Sequence, residues 1–160
     1  MNLFYKKFLK SIVLLRNTNK YVLFAATLIS LFVVSVLFSS TYVFFLIQLI
    51  THNLPLISNL GLFIVAVFIV PIIIAFLVQH LVIKLSYKYL KSILLACLVS
   101  TFIFGLFFVH DMIFGIGTLI IGFIFSLFYL SYRREMDGVL ALALLHVCYN
   151  GLIFSMAYCL

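Results

Sequence analysis

Residues 60–84 read LGLFIVAVFIVPIIIAFLVQHLVIK, an apolar stretch that carries no charge before Lys84. As straight helix it extends about 37 Å, enough to cross the ~30 Å hydrocarbon core of a bilayer. Two strongly polar residues, Gln79 and His80, stand inside it. Lipid offers them no water, so such positions read first as site candidates and second as bonds to a neighbouring helix. Pro71 predicts a kink, because proline removes one helix hydrogen bond and crowds the carbonyl of Val67.

The rest of the chain repeats this pattern. With 68% hydrophobic and 8% charged residues and a mean hydropathy of +1.41, it has too little polar surface to cover itself in water. The expected fold is an all-α integral membrane protein, a bundle of about five transmembrane helices preceded by a basic amphipathic N-terminal helix. Residues 1–20 form that helix and residues 21–160 the polytopic membrane domain. The first apolar run, Tyr21 to Ile50, crosses once, with Ser39, Ser40 and Tyr42 near the outer interface. Thr51–Asn59, THNLPLISN, has the composition of an outer loop. The remaining spans run from about Leu60 to Lys84, Ser92 to Val109, Ile113 to Tyr132, and Val139 to the C-terminus.

The net charge of +7 does not signal nucleic acid, since no basic aromatic surface lies outside the apolar runs. All Lys and Arg residues fall in three islands: Lys6, Lys7, Lys10, Arg16 and Lys20; Lys84, Lys88 and Lys91; Arg133 and Arg134. Membrane crossings in even numbers return each island to one side, and the positive-inside rule makes that side cytoplasmic. The amino end is then cytoplasmic and the carboxyl end extracytoplasmic, in a cell membrane of bacterial type. Residues 1–20 are not a cleavable signal, because basic residues continue to Lys20 and the next apolar run is too long. Phe4, Phe8, Ile12 and Leu15 share one helix face opposite Lys6, Lys7 and Lys10, which suits a helix anchored in lipid headgroups. Cys97, Cys148 and Cys159 match no zinc or redox spacing and read as core residues. Thr118, Gly122 and Ser126, four apart, predict a helix face small enough for close packing within the bundle.

The polar residues form three groups. HVCYN places His146 and Asn150 on one face of the last helix. His110 ends the third span next to Asp111, and Gln79 and His80 precede Lys84 by about one turn. Counted along straight helix from the basic turns, His80 and His146 lie about 10 to 17 Å deep and His110 about 27 Å. Their convergence therefore needs a broken helix or an off-centre turn.

This order and spacing resembles the CPBP family, the CAAX protease and bacteriocin-processing group also called Abi or type II CAAX prenyl endopeptidase-like, which includes lysostaphin resistance protein A. Its core carries EExxxR, then FxxxH, then HxxxN. HVCYN matches the third motif and His110 the histidine of the second, and the likeness covers about residues 75 to 155. QHLVIK, with Gln79, His80 and Lys84, stands in place of EExxxR, and Leu106 stands where FxxxH has phenylalanine. The resemblance implies an intramembrane endopeptidase scaffold in which a carboxylate activates water while histidines and asparagine polarise the peptide carbonyl. Gln79, His80, Lys84, His110, His146 and Asn150 are the positions carried over.

Gln79 cannot accept the proton that a glutamate would. His80 is the replacement base to test, and Lys84, if it faces the same pocket, disfavours a cationic His80. The expectation is a catalytically impaired member that binds a membrane peptide, a bacteriocin or an envelope protein, in a self-immunity or scaffold role, without nucleic acid and without a cofactor. The alternative is an active endopeptidase using His80, His110 and His146, or a variant in which those three histidines hold zinc and leave a fourth position for water. A transporter or channel is disfavoured, because no internal repeat or acidic ring occurs. A topology reporter inserted between Asn53 and Asn59 is expected to read extracytoplasmic and one at Arg134 cytoplasmic. The reverse reading would invert the orientation, and one side for both would remove the span count.

Overall fold

The computed structural model describes residues 3–38, 61, 63–107, 112–132 and 134–159. The expected outer loop Thr51–Asn59, the outer-interface residues Ser39, Ser40 and Tyr42, and the pair His110 and Asp111 lie outside the described residues. Six helices are described: α1 Leu3–Asn17, α2 Lys20–Phe38, α3 Val65–Leu90, α4 Ile93–Phe107, α5 Met112–Leu130 and α6 Glu135–Cys159. No strand occurs among the described residues. Within α2, α3 and α6 the segments Lys20–Phe38, Val65–Leu90 and Glu135–Ser155 are long and apolar enough to cross a membrane. The apolar segments of α4 and α5, Ile93–Leu106 and Gly115–Leu130, are shorter. α3 extends past the expected Lys84, and α6 begins before the expected Val139.

α5 is the hub, packed against α1, α2, α3, α4 and α6. Its small-residue face meets α4 inside the bundle, as expected. A Cβ on Gly122 would stand 2.9 Å from Phe104 Cδ1, and on the α4 side a Cβ on Gly105 would stand 2.6 Å from Leu119 Cδ2. Thr118 and Ser126 on the same face are buried and return their hydroxyls to the carbonyls of Gly115 and Gly122. At the start of α6, Gly138 lets that helix cross the end of α5, since a Cβ there would lie 3.0 Å from the Tyr129 carbonyl oxygen. α2 contributes Leu23, Thr27, Leu31 and Ser35, buried at four-residue spacing, as a helix packed along one stripe requires. Cys97 is buried and Cys148 half-buried, and both are free thiols.

The turns follow from local chemistry. Lys91 closes α3 in the left-handed region at φ 53°, its N–H bonded to the Tyr87 carbonyl, and Ser92 Oγ accepts from Leu95 N to open α4. Asn19 Oδ1 accepts from Tyr21 N at 2.9 Å and starts α2. The last carbonyls of α5 have no partner within their own helix. Arg16 Nε donates to Leu130 O at 3.1 Å and Lys20 Nζ to Ser131 O at 3.0 Å, so two cations meet the negative end of the helix dipole.

The apolar face of α1 is partly occupied by protein, with Leu15 also packed against the core. Phe8 and Ile12 are buried in the protein core, whereas Phe4 remains 64% exposed. Because Arg16 and Lys20 tether its end to α5, part of that face is spent on protein contacts.

Pro71 sits in a helix that has changed its winding. Val65–Ile69 and Ala75–Leu81 are π-type turns flanking Val70–Ile74. Val70 N–H bonds to Val65 O, five residues back, so the group that Pro71 leaves without its donor in this register is Ala66 O rather than the Val67 carbonyl.

Gly122→Leu is expected to lower stability by about 1–3 kcal/mol, because the added side chain must displace Phe104 from a packed interface. Thermal unfolding in detergent checks this, and an unchanged midpoint would mean that α4 and α5 do not touch there.

Candidate functional site

The second π-type turn brings three consecutive residues of α3, Val78, Gln79 and His80, into the interior. Gln79 is fully buried. Its Oε1 accepts from Ser100 Oγ of α4 at 2.9 Å and from Ser126 Oγ of α5 at 2.7 Å. Each serine hydroxyl also reaches a backbone carbonyl, Val78 O at 2.8 Å and Gly122 O at 2.9 Å. Two hydroxyl protons cannot serve four acceptors, and Gln79 Nε2 has no partner among the described residues. Turning the carboxamide by half a turn balances the count. Nε2 then donates to both serines, each serine donates to its carbonyl, and only a carbonyl oxygen is left over.

His80 turns to a different group one helical turn along α5. Its Nδ1 lies 2.8 Å from the Tyr129 hydroxyl, and its ring is flanked by Phe76 and Tyr129. If the phenol donates, the imidazole proton resides on Nε2; if Nδ1–H donates, Nε2 keeps its lone pair.

Lys84, expected to press its charge on His80, is instead paired with Glu135 of α6 at 2.8 Å. Both side chains are more than half exposed. The Lys84 charge is thus shared with a carboxylate and is not directed at His80 alone. An exposed pair of this kind contributes about 0–1 kcal/mol to stability.

On α6, His146 and Asn150 share a face but serve separate neighbours. His146 is buried, its ring 4.5 Å from that of Phe125 and within 6.5 Å of Phe104 and Tyr149, centroid to centroid. Tyr149 bonds through its hydroxyl to Ser35 of α2. Asn150 Nδ2 donates to Ala66 O at 2.9 Å, the carbonyl that Pro71 leaves open.

The structure therefore divides the expected residues among neighbouring microenvironments. Gln79 meets α4 and α5 through serines, His80 meets Tyr129, Lys84 meets Glu135, His146 sits among aromatic rings and Asn150 closes α3. No hydrogen bond joins the Gln79–His80 pair to the His146–Asn150 pair among the described residues. His110 lies outside them. Among the described residues, no three His, Cys, Asp or Glu side chains stand close enough to hold a metal ion.

Sequence reasoning missed Ser100, Tyr129, Tyr149 and Glu135 as partners. A signal was available only for Tyr129, three residues beyond Ser126 on the face already identified as small.

A bundle of apolar helices with polar side chains held between them defines a multi-pass helical membrane protein. The family model for type II CAAX prenyl endopeptidase, Rce1-like, matches residues 55–152, and the chain belongs to this CPBP family. No curated protein and no solved structure matches it.

Asn150→Ala alone is expected to destabilise by about 1–3 kcal/mol, leaving Ala66 O without its donor. In a Pro71→Ala background the loss should shrink, because the new N–H at position 71 can reach the same carbonyl. A double-mutant cycle by thermal unfolding measures the difference; additive losses would dismiss the link between Asn150 and Pro71.

Proposed function

We propose that the chain is a catalytically impaired member of its family that binds a membrane-embedded peptide without cutting it, as a bacteriocin self-immunity protein or an envelope scaffold. One observation carries the reading. The position that the resemblance assigns to the water-activating glutamate is Gln79, a fully buried carboxamide whose hydrogen bonds are taken up by Ser100 and Ser126. An amide has no basic lone pair at neutral pH, so water beside it gains no general base. Of the three acidic residues in the chain, Glu135 and Asp137 occupy the first turn of α6. Glu135 is committed to Lys84 at the surface. The basic turns orient the amino end to the cytoplasm and the carboxyl end outward.

The alternative, an active endopeptidase, draws on the His80–Tyr129 bond. With Nδ1–H donated to the phenol, Nε2 keeps a lone pair that can accept a proton from water. His146 and His110 would then have to polarise the carbonyl, with or without zinc.

The native protein, purified in detergent, is expected to bind a bacteriocin-derived or leader-type peptide by fluorescence anisotropy while leaving it and a prenylated CAAX peptide intact. Gln79→Glu combined with His80→Glu and Lys84→Arg is expected to cleave. Cleavage by the native chain that survives chelation but disappears in His80→Ala and His146→Ala would establish a histidine-based protease instead. Loss on chelation with recovery on zinc would establish the metal variant. Absence of both binding and cleavage, with all three histidines replaceable by alanine, would reduce them to packing residues.

A further inference from the structure

At the basic end of the bundle a cavity of about 230 Å³ opens between α1, α3, α4, α5 and the start of α6. It is large against the roughly 30 Å³ that a water molecule occupies. Its polar lining comes from Arg16, Lys84, Tyr87, Tyr129, Tyr132 and Glu135, and the remainder is aliphatic.

Arg16 is half-buried and fixed by Nε, which donates to Leu130 O at 3.1 Å. Among the described residues no hydrogen bond takes up its Nη groups, and this outer fork of a guanidinium matches two oxygens of a phosphate. Lys84 and Glu135 cancel one another at 2.8 Å, so among the described lining residues Arg16 is the cation without a carboxylate partner, with Lys20 Nζ nearby over the Tyr132 ring at 4.9 Å. The Tyr87 and Tyr132 phenols add donors, the Tyr129 hydroxyl being engaged with His80. Tyr132 stays protonated, because burial raises its pKa and the Asp137 carboxylate raises it further.

These features select among anions. A phosphodiester carries one negative charge and matches one uncompensated cation. Inorganic phosphate is partly a dianion at neutral pH, and its second charge finds no further unpaired cation among the described lining residues. The cavity also lies where the apolar helix α5 ends and α4 begins; in the proposed topology this is the cytoplasmic headgroup layer, and basic pockets between membrane helices there are suited to such groups.

We propose that this cavity is a binding site for the phosphodiester headgroup of an anionic phospholipid, with Arg16 as its principal ligand. The bound lipid bridges α1 to the ends of α3, α5 and α6. The aliphatic lining meets its glycerol and upper acyl carbons. Gln79 and His146 do not line this cavity, which adjoins the proposed peptide site through Lys84 and through Tyr129, the His80 partner.

Native mass spectrometry of the full chain in detergent, titrated with dioleoylphosphatidylglycerol, tests it. One lipid per chain is expected, with dioleoylphosphatidylcholine weaker by about tenfold because its ammonium group offsets the phosphate charge. Arg16→Gln is expected to lower phosphatidylglycerol occupancy about tenfold, and Arg16→Lys to restore it only in part, since lysine lacks the fork. Glu135→Gln frees Lys84, so it should tighten phosphatidylglycerol and admit inorganic phosphate, a gain that misfolding cannot produce. A Lys6→Gln, Lys7→Gln, Lys10→Gln variant should bind normally.

Loss of binding in that triple variant with retention in Arg16→Gln would overturn the site in favour of diffuse surface attraction. Equal binding of phosphatidylcholine, displacement by inorganic phosphate at similar concentration, or failure of Glu135→Gln to gain would each overturn it too. Displacement by a peptide with a free terminal carboxylate, but not by its amide, would reassign the cavity to peptide.

Discussion

A carboxamide inside a bilayer has no water to bond, and Gln79 solves this with hydroxyls from two other helices. Ser100 and Ser126 fix α3 against α4 and α5 at one depth. The apolar contacts around them are non-directional and tolerate sliding, because lipid tails are as apolar as the helices themselves. Hydrogen-bonded carboxamides and hydroxyls do not slide. The close α4–α5 approach over Gly105 and Gly122 brings both serines within reach of a single side chain.

The same requirement explains α3. A proline in the middle of a membrane helix leaves a carbonyl exposed to lipid unless another donor arrives. The π-type winding moves the open carbonyl to Ala66, where Asn150 from α6 can reach it. Asn150, an oxyanion-polarising position in the resemblance, thus has a structural partner in this conformation. At the basic end, Arg16 and Lys20 do for α5 what Asn150 does for α3, supplying donors to carbonyls at Leu130 and Ser131. α1 is thereby part of the bundle.

In the proposed reading, family membership and chemistry separate at this point. The scaffold and the HxxxN helix are those of a type II CAAX endopeptidase-like protein, but position 79 holds an amide and position 80 an imidazole bonded to a phenol. In that reading, proton abstraction from water would depend on that one site, whereas recognition of an apolar peptide would depend on the helices around it. The first can be lost while the second persists.

The amino-acid sequence by itself determined the helical membrane class, the approximate spans and the small face of α5, because apolar length and residue size act locally along one helix. It also supplied His146 and Asn150 on one face, since that spacing is a property of the helix. The motif order that carried the family resemblance was equally legible. Only the tertiary structure decided where each polar side chain goes. The π-type turns, which let adjacent Gln79 and His80 both enter the core, leave no periodic mark in an almost uniformly apolar run. Lys84 was legible as a cation but not as the partner of Glu135, 51 positions away in the chain. A buried polar group takes whatever donor or acceptor the packing brings within about 3 Å, and that choice is made between helices.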